Sequence, residues 1–190
     1  MRHGVRPAPC QRYSPQKGSS CTPTAIFYAY SVLTGAMSPV CPENVMQTVM
    51  DAAWGLYRLI CARVRQSFLQ QHEVLQSVSK PANISISERY VTKSKDLVTE
   101  LAHGDKRHSC CLRFEEIFAL ASDDTALILT GSNHTTAVVN RGDCVYFFDS
   151  LPAAVYEVAS SDELLNLLQM SHGRCYCMTL TVLTLTKPAS

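Results

Sequence analysis

Of the nine cysteines in this 190-residue chain, Cys21 is set where a thiol can acquire chemistry. The flexible, polar Gly18-Ser19-Ser20 leads into it, Thr22-Pro23 follows, and an apolar, aromatic run begins at Thr24. Proline is tolerated in the first turn of a helix, because the N–H it lacks has no partner there. Cys21 is therefore expected at or beside a helix N-terminus. The partial positive charge of that end stabilises a thiolate, which is the reacting form. The Cys21 N–H would be one of the first-turn donors without an intrahelical partner, and so a donor for an oxyanion. Gln11, upstream, can supply a second amide N–H. The other cysteines read as small, buried core residues.

A thiolate nucleophile needs an imidazole to pair with it and then protonate a leaving amine. Of the six histidines, His3 lies in the lead-in, and His72, His103 and His108 sit in polar helix ends or connections. His172, in Ser-His-Gly, marks a helix exit. His134 stands just before a β-branched stretch, Thr135 to Asn140, and Asp149 closes the next one, Cys144 to Asp149. In an antiparallel pair the start of one strand lies beside the end of its neighbour, so the two side chains should meet. Asp149 would then orient the ring and stabilise its charged form. The competing reading makes Asn133-His134 a plain turn and Asp149-Ser150 a cap.

The elements that must hold these groups follow from periodicity. Thr24 to Met37 reads as a buried helix ended by Gly35 and Pro39. Pro42-Glu43 opens a long amphipathic helix through Val45, Val49, Ala52, Leu56, Leu59, Ile60, Val64 and Phe68, broken at Lys80-Pro81. Asn83 to Ser94 reads as a polar connection with room for extended structure at Ile84 and Ile86. Shorter helices are expected over Lys95 to Ala102 and Leu112 to Ala121. Strands follow at Thr125 to Thr130, Thr135 to Asn140 and Cys144 to Asp149, with a turn at Arg141-Gly142-Asp143. A helix capped by Ser161-Asp162-Glu163 runs to Met170, and Tyr176 to Thr186 forms a last strand. Helices first and strands second favour an α+β domain.

Composition sets the outer bounds. One domain over residues 1–190 suits the length, with 1–20 as an extended lead-in. Hydrophobic residues make up 46% of the chain, and 17 basic against 16 acidic residues leave a net charge of +1. That balance gives no argument for nucleic acid or an anionic membrane surface. Met1 to Gln16 lacks the apolar core of a signal peptide, and no apolar run reaches the ~18 residues of a membrane span. A cytoplasmic, reducing compartment with free thiols and a monomeric domain is the expectation. Cys110-Cys111 and Cys175-Tyr176-Cys177 are poorly spaced for zinc, so no metal or cofactor is expected.

The segment from Gln11 through Tyr13 and Gly18 to Cys21 resembles the active-site segment of the deubiquitinating domain of the herpesvirus large tegument protein. Thr136-Ala137-Val138-Val139 through Tyr146-Phe147-Phe148-Asp149-Ser150 is similar to that family's closing hairpin. The resemblance implies a papain-like α+β cysteine protease that cleaves after the C-terminal Gly-Gly of ubiquitin or polyubiquitin. It also implies acidic groups to pair the arginine before those glycines, for which Asp123 and Asp124 are candidates beside the simpler reading as solvated loop carboxylates. One departure stands out. The family takes Asp and His from a single Asp-x-His, whereas this chain reads Asp149-Ser150-Leu151. His134 then supplies the ring from the opposite strand. The alternatives are a non-cleaving ubiquitin-binding module and a thiol hydrolase for another Gly-ending modifier.

Overall fold

The computed structural model describes residues 8–64, 69, 71–78, 83–92, 111–131, 133–173 and 177–186. Its strands are β1 (Gln11–Arg12), β2 (Ile84–Thr92), β3 (Cys111–Arg113), β4 (Thr125–Thr130), β5 (Thr135–Arg141), β6 (Cys144–Asp149), β7 (Ala154–Val158) and β8 (Cys177–Leu185). They form one 8-stranded sheet in the order β1-β7-β6-β5-β4-β8-β2-β3. All neighbours are antiparallel except β2 and β3. The described helices are α1 (Cys21–Leu33), α2 (Glu43–Val64), α3 (Gln71–Ser77), α4 (Phe114–Leu120) and α5 (Ser161–His172). Among the described residues no helix is long and apolar enough to cross a membrane.

Successive strand side chains point to opposite faces, and here each face meets helices. On β4, Ala126 and Ile128 join a core built with α1, α2 and α3, while Leu127 and Leu129 join a second core with α4 and α5. Phe148 and Phe147 of β6 divide in the same way. A strand covered on both faces reads as an unbroken apolar run, and Thr125 to Thr130 has that character. Helix α1 is buried almost all round, as its composition predicts. Its Tyr28 stacks on Phe148 with ring centroids 4.2 Å apart, and its hydroxyl donates to the Pro39 carbonyl at 3.0 Å. That bond satisfies the one polar atom of a wholly buried phenol.

The β5–β6 turn fixes the register that matters most. Gly142 and Asp143 both hold positive φ, 60° and 68°, the pattern of a two-residue turn whose twist matches the strands it joins. It places Thr136 opposite Asp149 at the far end of the hairpin.

Several elements depart from the sequence reading. The long helix is not continuous: α2 spans Glu43–Val64, Leu69 lies outside any helix, and α3 begins at Gln71, a polar residue drawn into the core by hydrogen bonds to the sheet. Ile84 to Thr92 is a full strand paired along its length with β8. Its alternation of Ile84 and Ile86 with exposed Ser85 and Ser87 is the signature of a strand covered on one side. The expected helix at Leu112 opens instead with three residues of strand that pair with β2. Strand β7, packed through Ala154, Val155, Tyr156 and Val158, adds an element after Pro152 where the sequence pattern marks none. The cap of α5 is Ser160, which accepts from the Glu163 N–H at 3.3 Å while Glu163 accepts from the Ala159 N–H at 2.8 Å. The helix expected over Lys95 to Ala102 lies outside the described residues.

Candidate active site

The hairpin brings His134 and Asp149 together. Nε2 of His134 lies 2.7 Å from Oδ1 of Asp149, and both side chains are buried. The Leu151 N–H donates to the same oxygen at 3.0 Å, and the Ser171 hydroxyl, from the end of α5, donates to Oδ2. Burial alone would raise this carboxyl. The His134 ring and its charge, Ser171 and the Leu151 N–H outweigh it and hold Asp149 below its ordinary range.

With Nε2 committed to Asp149, Nδ1 is the ring nitrogen left for a thiol, and the thiol it meets is Cys21. Burial pushes the Cys21 sulfur up, but hydrogen bonding and charge from His134, the Thr135 N–H and Thr22 bring it below its ordinary value. The ring responds in kind. Burial lowers it, while Asp149 and Cys21 raise it, to about 9. A thiol pulled down and an imidazole pushed up favour the thiolate–imidazolium pair.

Cys21 is the first residue of α1. No side chain caps that end and no acidic residue sits in its first turn, so the positive end of the helix dipole is not neutralised there. The preceding loop is pinned to α2. The Ser14 N–H donates to Glu43 at 2.9 Å, and Lys17 pairs with Asp51 at 2.8 Å. Gly18, at φ 55°, lies so close to Trp54 that a Cβ there would stand 2.8 Å from the ring. Only glycine suits both the backbone and the contact.

The sulfur opens onto a cleft of about 390 Å³ lined by Gln16, Gly18, Ser19, Asn133, Leu151 and Ser171 along with Cys21 and His134. Two expected participants stand elsewhere. Gln11 sits in β1, paired with Val155, and its side-chain amide donates to the Arg12 carbonyl at 3.2 Å. It is not among the residues lining the cleft, whereas Gln16 is. The Gln16 amide donates to the Gly18 carbonyl at 3.3 Å, and its oxygen is buried without a hydrogen-bond partner. Asp123 and Asp124 precede β4, whose other end, Thr130, abuts the site. Six residues of strand at about 3.3 Å each separate the two ends, so these carboxylates do not line the cleft.

Two residues of the site escaped the sequence reading. Ser171 fixes Asp149. His172 packs its ring 5.3 Å from that of His134, and its Nε2 lies 3.0 Å from the Thr136 hydroxyl. Burial and the neighbouring His134 charge lower His172 to about 4. In the sequence both residues look like an ordinary helix exit, and only the docking of α5 across β6 gives them roles.

No family model matches the chain, and no curated protein matches it. Among solved structures, it is similar to the ubiquitin-specific protease encoded by murine cytomegalovirus tegument protein M48, crystallised with a ubiquitin-based suicide substrate. That likeness has a TM-score of 0.69 at 18% identity and covers 94% of this chain and 87% of the other. The chain thus has the α+β, papain-like fold of a herpesvirus ubiquitin-specific protease.

Proposed function

We propose that this protein is a cysteine-type deubiquitinase in which Cys21 is the nucleophile, His134 the base and acid, and Asp149 the orienting group. The observation that supports it is the buried Asp149–His134 pair beside a helix-tip thiol on an open cleft, within this fold. In this reading the Cys21 thiolate attacks the carbonyl carbon of the terminal glycine. The oxyanion takes the Cys21 N–H, and Gln16 is better placed than Gln11 to offer the second donor. The C–N bond breaks as His134 passes its proton to the departing lysine amine. The neutral ring then takes a proton from water, the hydroxide attacks the thioester, and the thiolate leaves. Asp149 keeps Nδ1 facing the sulfur throughout.

Gly18, Ser19 and Ser171 line the cleft with small side chains, so an extended peptide tail can approach the sulfur. The His of the family's Asp-x-His is replaced here by Leu151, and His134 from the preceding strand takes its place. Incubation with ubiquitin carrying a C-terminal electrophile tests the reading by mass. Wild type gains one ubiquitin and Cys21→Ala gains none. Tight binding with no adduct in either protein would mean a ubiquitin-binding module instead. Reaction with another Gly-ending modifier in preference to ubiquitin would change the substrate but not the chemistry.

A further inference from the structure

On the face of β5 opposite His134, a run of buried hydroxyls leads away from the site. Thr22, Thr130, Thr135, Thr181 and Gln71 are all buried, and all are hydrogen-bonded to one another in sequence. The direction of that chain can be worked out, because each hydroxyl has a single hydrogen to give. The one hydrogen of Thr22 has the Leu69 carbonyl, at 3.0 Å, and the Cys21 sulfur as its acceptors. Its 2.9 Å contact with Thr135 must then be donated by Thr135. The 2.9 Å contact between Thr135 and Thr130 must in turn be donated by Thr130. Thr130 accepts from the Gln71 amide at 2.5 Å. The Ile128 and Thr179 carbonyls, at 3.3 and 3.4 Å, fix which end of the Gln71 amide is the NH₂, and Thr181 donates to its oxygen. Every bond points the same way, so each polarises the next.

The far end of this chain is at the chemistry. Thr22 directly follows Cys21, and Thr135 directly follows His134. The 2.9 Å bond between their hydroxyls ties the start of α1 to the start of β5, one residue from each reacting group. The Thr135 N–H also points at the Cys21 sulfur. We infer that Gln71 is a positioning residue, holding the nucleophile against the base through Thr130, Thr135 and Thr22. This rests on reading Cys21 and His134 as a catalytic pair. It also explains why a polar residue is carried into the core at the first position of α3.

The test compares Thr135→Val, Thr135→Ser and Gln71→Met with the wild-type chain. Valine matches threonine in shape and keeps the backbone N–H, so only the hydroxyl is lost. The probe is iodoacetamide, with alkylation at Cys21 followed by peptide mass across about pH 4 to 9, where the thiolate fraction sets the rate. The titratable groups around the sulfur are His134, Asp149 and His172, and from α2 Tyr57, which is raised above its ordinary value mainly by burial. Thr135→Val and Gln71→Met should slow alkylation near neutrality roughly tenfold and move its acid limb upward, as a misplaced pair does. Turnover should fall in kcat with KM kept, and Thr135→Ser should stay near wild type. A wild-type profile in folded Thr135→Val and Gln71→Met overturns the inference, as does Thr135→Ser falling as far as valine. If Gln71→Met does not fold, the Thr135 pair decides alone. If wild type forms no adduct with electrophilic ubiquitin while the two variants still show these alkylation shifts, the deubiquitinase reading is removed and the positioning role stands.

Discussion

Strand β6 is flanked by two aspartates with opposite uses. Asp143, in the turn before it, is exposed and holds φ 68°, a backbone position that Asp tolerates better than most residues. Asp149, at the other end, is buried and accepts from His134, Leu151 and Ser171. The first serves the backbone and the second serves a proton. What separates them is the company at each end: at one, solvent; at the other, the ends of α1 and α5. A carboxylate becomes chemically directive when burial removes water and fixed donors replace it.

The sharpest break of that comparison is at the cleft end itself. Cys21→Ala and His134→Ala should each lower turnover by roughly 10³-fold or more, measured on a ubiquitin substrate with a reporter leaving group. Near-normal turnover in His134→Ala would remove the base from its role. Asp149→Asn should cost less, about ten- to a hundredfold. It should also move the alkaline limb of kcat/KM below the value expected for wild type, about 9, where His134 sheds its proton. The limb falls with rising pH because the ring must be charged to pair with the thiolate. Ser171→Ala leaves one oxygen of Asp149 without its donor, and a loss of a few-fold in kcat is expected. Asp143→Asn and Asp123→Asn, at the solvent end, should leave kcat/KM within about twofold. A large loss in either would mean that the substrate reaches far along the sheet.

The two histidines give the comparison a stability readout. The folded His134 is raised from 6.5 to about 9, so its contribution is complete below 6.5 and disappears as pH rises through 9. His172 is lowered from 6.5 to about 4, so its contribution is present above 6.5 and is lost as pH falls through 4. Melting temperatures of His172→Gln and wild type should converge on acidification.

The meeting of Cys21, His134 and Asp149 was legible because each is tied to a local signal. Cys21 precedes Thr22-Pro23 and a buried helix. His134 and Asp149 bracket a hairpin whose turn chemistry is written in Gly142-Asp143. The Gln11 assignment rested on its order along the chain, and pairing with β7 carries it away from the cleft. Asp123 and Asp124 were placed by charge without knowledge of strand direction. Ser171 and Gln71 could not be read, because nothing local marks a serine at a helix end or a glutamine at a helix start. Their partners are Asp149 and Thr130, far along the chain. Strand β2 was read as a connection because a strand covered on one face carries as many Ser and Glu as a loop.

The side-by-side imidazoles have a consequence for where a proton can travel. The two rings are driven apart, His134 raised to about 9 and His172 lowered to about 4, so near neutrality the charge sits on His134. Although they nearly touch, His172 cannot drain the charge that His134 takes up. The neutral ring behaves as an insulating wall, and in the proposed reaction the outlet left to that hydrogen faces the cleft.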